Sequence, residues 1–161
     1  MVGGRLGRSA VACALVGLVA LAGTIVPAPR PAAADAQAGV SPTIAAEFVW
    51  AIDVVRTERG LPALVPDAPL SVGAQEWSGG MALLGTLVHD QQLGAVVSAV
   101  DPGWRTAGEN IGTGTTPQAI EGAFVASPPH LANMLGPYTH VGVGAFVDGA
   151  GRLWVTERFY R

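Results

Sequence analysis

Apolar positions recur along this chain with a helical period in several stretches and run almost without interruption in one. Beyond Ser41-Pro42, which read as an N-cap and a first-turn proline, Ile44, Phe48, Ile52 and Val55 fall on one helical face, and Gly60 ends the pattern. After Pro69, Leu70, Ala74, Trp77, Met81 and Leu84 follow at steps of 4, 3, 4 and 3, which predicts a second helix despite the Gly79-Gly80 pair. His89 falls just past its end. Residues 90–116 are rich in Gly, Pro, Ser and Thr, with an apolar piece at 95–100 and Trp104; they predict loop with one or two short strands. Thr116-Pro117 opens a third helix carrying Ile120 and Phe124 and running to about Ala126. Ser127-Pro128-Pro129-His130 then reads as N-cap, N1, N2 and N3 of a short fourth helix closing at Gly136, because proline fits where no amide donor is needed. The segment 141–147, the turn Asp148-Gly149-Ala150-Gly151 and the segment 153–160 predict a β-hairpin. Helices first and a strand pair last imply an α+β fold.

The uninterrupted apolar run, 10–26, sits behind Arg5 and Arg8 and ahead of Ala32-Ala33-Ala34, the layout of a secretory signal over residues 1–34. An uncleaved membrane anchor is the alternative, because the run approaches the about 20 residues that span a bilayer. Residues 35–40 read as a linker and 41–161 as one domain, secreted or extracellular. The one cysteine, Cys13, belongs to the leader, so the exported part holds no disulfide; about 127 residues bury enough surface to do without. From residue 35 onward six arginines face twelve acidic residues, a formal charge of −6, and the chain has no lysine. So acidic a surface lacks the cationic footprint that phosphate backbones require, which excludes nucleic acid and anionic membranes as partners. Arginine without lysine points to a GC-rich bacterial genome.

Three histidines, His89, His130 and His140, are the candidates for chemistry. Gly108-Glu109-Asn110-Ile111 and Ser127-Pro128-Pro129-His130-Leu131-Ala132-Asn133, after an upstream stretch 53–61 and before Val141-Gly142-Val143-Gly144 and the segment 154–159, resemble the motifs of the CAP superfamily. This SCP-like group takes in cysteine-rich secretory, antigen-type and pathogenesis-related proteins, and the resemblance covers nearly all of residues 44–160. It implies an α-β-α sandwich, about four helices on a small antiparallel sheet, with a cleft where two histidines and one or two glutamates meet, often around a divalent metal. His89, Glu109 and His130 match three of those places, and Ser127 stands where a second glutamate is usual. Asp53 replaces the usual asparagine and Phe124 the usual tryptophan.

Two imidazoles and a carboxylate suit zinc, so His89, Glu109 and His130 are the expected ligands of a divalent metal, with a position left for water or substrate. The helix N-terminus disfavours a charged imidazole at His130. Against each functional role stands a structural one. Ser127 is first an N-cap whose hydroxyl accepts the His130 amide. Glu109 can pair with Arg105 or Arg158, and Asn110 and Asn133 are supporting residues that tie loop backbone to helices. Glu121 reads as a solvated helix face, His140 lies outside the site, and the tryptophans are core or cleft wall. Three functions remain open: a secreted, monomeric binding protein whose cleft takes a metal, a small ligand, a lipid or an envelope component; a metal-assisted hydrolase, the less favoured reading; and a structural or adhesion module.

Overall fold

The computed structural model describes residues 38–161. The leader expected over 1–34 lies outside the described residues. Helix α1, Pro42–Thr57, begins where the sequence places it, with Ser41 Oγ accepting from the Ile44 amide at 3.4 Å. Gly60, at φ +75°, carries the chain out of its C-terminal end. Helix α2, Ala68–Leu84, is capped by Asp67, whose Oδ1 accepts from Leu70 N at 2.8 Å, and ends at the left-handed Gly85. Helices α4, Pro117–Ala126, and α5, Pro128–Met134, share Ser127, the C-cap of one and the N-cap of the other.

The region 90–116 departs from expectation. Leu93–Val100 is a helix, α3, because Leu93, Val96, Val97 and Val100 share one helical face that closes on Leu70, Tyr160 and Trp104. Ala107–Gly114 is an eight-residue strand, β3 in chain order. Its glycines hid it from propensity, yet they are the residues that fit: a Cβ at Gly112 would stand 2.7 Å from the Phe124 ring.

The strands are β1, Gly39–Val40, β2, Val65–Pro66, β3, β4, His140–Val147, and β5, Leu153–Tyr160. The main sheet runs β1-β4-β5-β3, antiparallel throughout, and the two-residue β2 lies parallel to the start of β4. Gly39 and Val40, read as the end of a linker, thus form an edge strand opposite Val147 and Phe146. Among the described residues there are five helices, one more than the sequence led us to expect.

Alternation along β5 assigns the layers. Leu153, Val155 and Phe159 join Ile44, Phe48, Ile52, Ile120, Phe124 and Met134 under α1, α4 and α5. Trp154, Thr156, Arg158 and Tyr160 face α2 and α3. Helix α2 lies so close to β4 that a Cβ on Gly142 would come 2.6 Å from Ser71 N, and one on Gly144 would strike the Ala74 and Gln75 backbone. The sheet is therefore sandwiched between two helical layers, with β3 at one edge.

Candidate functional site

The polar site wraps the β3 edge. His89, in the loop after α2, donates from Nδ1 to Glu109 Oε1 at 2.9 Å; its side chain is 55 % exposed while that of Glu109 is 3 % exposed. Because a carboxylate only accepts, the proton on that bond belongs to the ring, and Nε2 makes no hydrogen bond among the described residues. Glu109 Oε1 also accepts from Asp90 N at 3.0 Å, and Oε2 accepts from Arg158 Nε at 3.1 Å. Arg158 Nη2 reaches Asp90 Oδ2 at 2.6 Å, and the guanidinium lies 5.8 Å from the Trp77 ring centre. The pairing of Glu109 with Arg158 is thus one of the two the sequence allowed, and it adds Asp90, which no motif indicated.

From the other side comes His130, whose Nδ1 lies 2.8 Å from Ser127 Oγ and whose ring meets Phe124 at 4.9 Å. The expected cap bond from the His130 amide to the Ser127 hydroxyl does not form. Pro128 and Pro129 hold the first two helical positions without amide donors, and the hydroxyl turns to the ring instead. Burial, and after it the charge of the neighbouring His89, pull the His130 imidazole below its ordinary value.

The two asparagines knit these halves together. Asn110 Nδ2 donates to the His130 carbonyl at 3.2 Å and to Glu157 Oε2 at 3.0 Å. Asn133 Nδ2 donates to the Glu109 carbonyl at 3.1 Å and to Asn110 Oδ1 at 2.9 Å. His140 stacks on Tyr160 at 4.7 Å and takes no part in the Asn110–Asn133 network. The groove beside the site, about 390 Å³, is lined by Leu87, residues 111–114 of β3, Ile120, Phe124, Ser127 and His130. A second hollow of about 320 Å³ between α1 and α4 holds none of the motif residues, and the chemistry points to the first.

Glu121 is not on a solvated face. It is 9 % exposed, beside the fully buried Glu157, with which it shares a carboxyl–carboxyl hydrogen bond. Burial raises the Glu121 carboxyl to about 7, and burial followed by the charge of Glu121 pushes Glu157 well above the usual carboxylate range. The signal was present: Glu121 sits between Ile120 and Phe124 on the apolar face, and Glu157 interrupts an apolar strand.

Glu109, expected beside His89 and His130 as a ligand, is engaged by protein groups. Both Glu109 oxygens are committed to His89, Asp90 and Arg158, and no group of three or more His, Cys, Asp or Glu side chains among the described residues has a cation-binding arrangement. What a cation or ligand would find is two imidazoles, each held at Nδ1 by a side-chain oxygen.

The family model for the cysteine-rich secretory proteins, CAP, matches residues 49–159. The chain belongs to the CAP family. Its fold is shared with an outer surface protein from Borrelia burgdorferi, at a TM-score of 0.68 and 15% identity over 78% of this chain and 98% of that one. An extracellular SCP-domain protein from Bacillus anthracis is similar at a TM-score of 0.63 and 25% identity, over 73% of this chain and 40% of that one. No curated protein matches. Among the described residues of this CAP domain, no helix is long and apolar enough to cross a membrane.

Proposed function

We propose that this CAP domain is an exported binding module in which His89 and His130 present their Nε2 atoms to a small ligand or a divalent cation, in the envelope or outside the cell. The observation that supports this is the pair of Nδ1 anchors, His89 to Glu109 and His130 to Ser127. Metal-binding histidines are held in this way, by a partner on the nitrogen that does not ligate. Glu109 and Ser127 then orient the rings and stay out of the coordination shell. A His130 that resists protonation keeps its lone pair available, and zinc accepts imidazole nitrogen.

Hydrolysis is the weaker reading. Ser127 does reach a histidine, but a serine nucleophile needs amide donors for the oxyanion, and two prolines strip them from the start of α5. The surface character in the names of the Borrelia and Bacillus proteins agrees with export.

Thermal melting with zinc and with chelator tests the proposal on wild type, His89→Ala and His130→Ala. Zinc at 100 times its dissociation constant adds about 2.7 kcal/mol to wild type and nothing to either variant. A wild-type melt indifferent to zinc, calcium and magnesium removes the cation. Histidine ring NMR signals indifferent to a set of small carboxylates, alcohols and amides then remove the ligand.

A further inference from the structure

We propose that the open edge of β3 is a docking site for an extended, apolar peptide segment with basic flanks, which adds to the sheet as a further strand. This goes beyond the histidine reading: the groove shares Ser127 and His130 with that site, and the strand edge is open to a peptide whether or not the imidazoles hold a cation.

Three observations converge on this edge. First, β3 ends the strand order and pairs only with β5. The Glu109 carbonyl points away from β5, since it accepts from Asn133 on α5. Antiparallel alternation puts the main-chain N–H and C=O of Ile111 and Thr113 on the same outward side. No described residue supplies these groups with a partner from outside the sheet. The register with β5 is continuous over all eight residues, so no bulge twists the edge away, and neither lysine nor proline guards it.

Second, the groove along this edge has Leu87 on one bank and Ile120, Ala123 and Phe124 on the other, with Thr113, Ser127 and His130 as its polar members and no Asp, Glu or Arg side chain. Third, the chain exposes apolar side chains where α2 runs into that bank. Leu83 is 92 % and Leu84 72 % exposed, and Leu87 and Val88 follow at 42 % and 40 %. Four large apolar side chains exposed between Leu83 and Val88 mark a contact surface.

Charge and hydrogen bonding select the occupant. Residues 38–161 carry six arginines against eleven acidic side chains, a formal charge of −5, which draws a basic flank toward an uncharged groove. The same charge repels anionic lipid and a second copy of this chain. Outward main-chain donors and acceptors are met by another extended backbone and left unmet by acyl chains.

The test uses the purified protein and a fluorescein-labelled Arg-Val-Thr-Val-Thr-Val-Arg peptide, read by fluorescence anisotropy. Wild type binds it saturably. Methylating alternate peptide amides, which spares side chains and removes donors, weakens binding about tenfold. Ala123→Glu, an exposed position on the groove, does the same, as does Thr113→Pro, which removes an outward donor and the Oγ1 bond to the Leu153 carbonyl but no ladder bond, whereas Thr113→Val, which loses only the Oγ1 bond, binds as wild type. Ala123→Glu keeps the zinc response of wild type, so loss of peptide binding and loss of the histidine site are read separately. The proposal is overturned if wild type shows no saturable binding, or if binding survives both amide methylation and Ala123→Glu. It is equally overturned if the peptide fails while phosphatidylglycerol vesicles bind through Leu83 and Leu84, or while Thr113→Pro abolishes a dimer seen by sedimentation.

Discussion

Glu109 makes three hydrogen bonds at its carboxylate, so its replacement acts first on stability. In Glu109→Ala the Arg158 guanidinium, 1 % exposed, keeps only Asp90, and breaking such a buried pair costs about 3 kcal/mol. Urea unfolding of Glu109→Ala reads that loss directly. The carboxyl pair Glu121 and Glu157 has the opposite sign. Folded, Glu121 holds its proton to about 7, whereas the unfolded carboxyl releases it near 4.5. Between these values the native state binds more protons, so the pair lowers stability as pH rises through the window. Glu121→Gln therefore raises stability by about 2 kcal/mol at pH 8 and by little at pH 4, measured as melting against pH. His130 acts at the acid end: the unfolded ring takes up a proton the folded ring resists, so stability falls as pH drops through the ordinary histidine range. The resemblance to the CAP motifs is what singled out His89, Glu109 and His130 in the sequence. Asp90 was not singled out, because it meets Arg158 across 68 residues and no local pattern announces the pair.

At the scale of elements, periodicity located α1, α2 and α4, which each carry an apolar face and a capping residue, while the prolines at 128 and 129 located α5 and the Asp148–Gly151 turn located the hairpin. It missed α3, whose valines suggested a strand, and β3, whose stability comes from pairing with β5 and not from side-chain preference. Nor did it show what ends α5. Arg56, 1 % exposed, donates to the carbonyls of Met134 at 2.8 Å and Gly136 at 3.0 Å, and from Nε to Pro62 at 2.9 Å. A lysine cannot meet all three carbonyls with the same planar fork. Arg56→Lys accordingly lowers stability by about 2 kcal/mol and speeds amide exchange in α5 before α1. Helix α2 depends on absent side chains: Gly144→Ala pushes it off β4 and lowers stability by about 3 kcal/mol, read as a lower melting temperature.

Across the whole molecule, the α-β-α sandwich expected from the motifs is the one observed, and the family match over 49–159 spans both helical layers. That agreement comes from particular positions. Gly142 and Gly144 admit α2 on one face, while Val141, Val143 and Ala145 between and beside them build the core on the other. The consecutive charges in β5 carry this division one step further. Glu157 belongs to the layer of Asn110, and Arg158 to the layer of Glu109 and Asp90. A sheet displaced by a single residue would send Glu157 toward Glu109 and Asp90 and take Arg158 away from both of them. Two neighbouring residues of opposite sign thus proofread strand alignment while the chain folds, and the frame in which they agree is the one that brings the anchored imidazoles to the same edge.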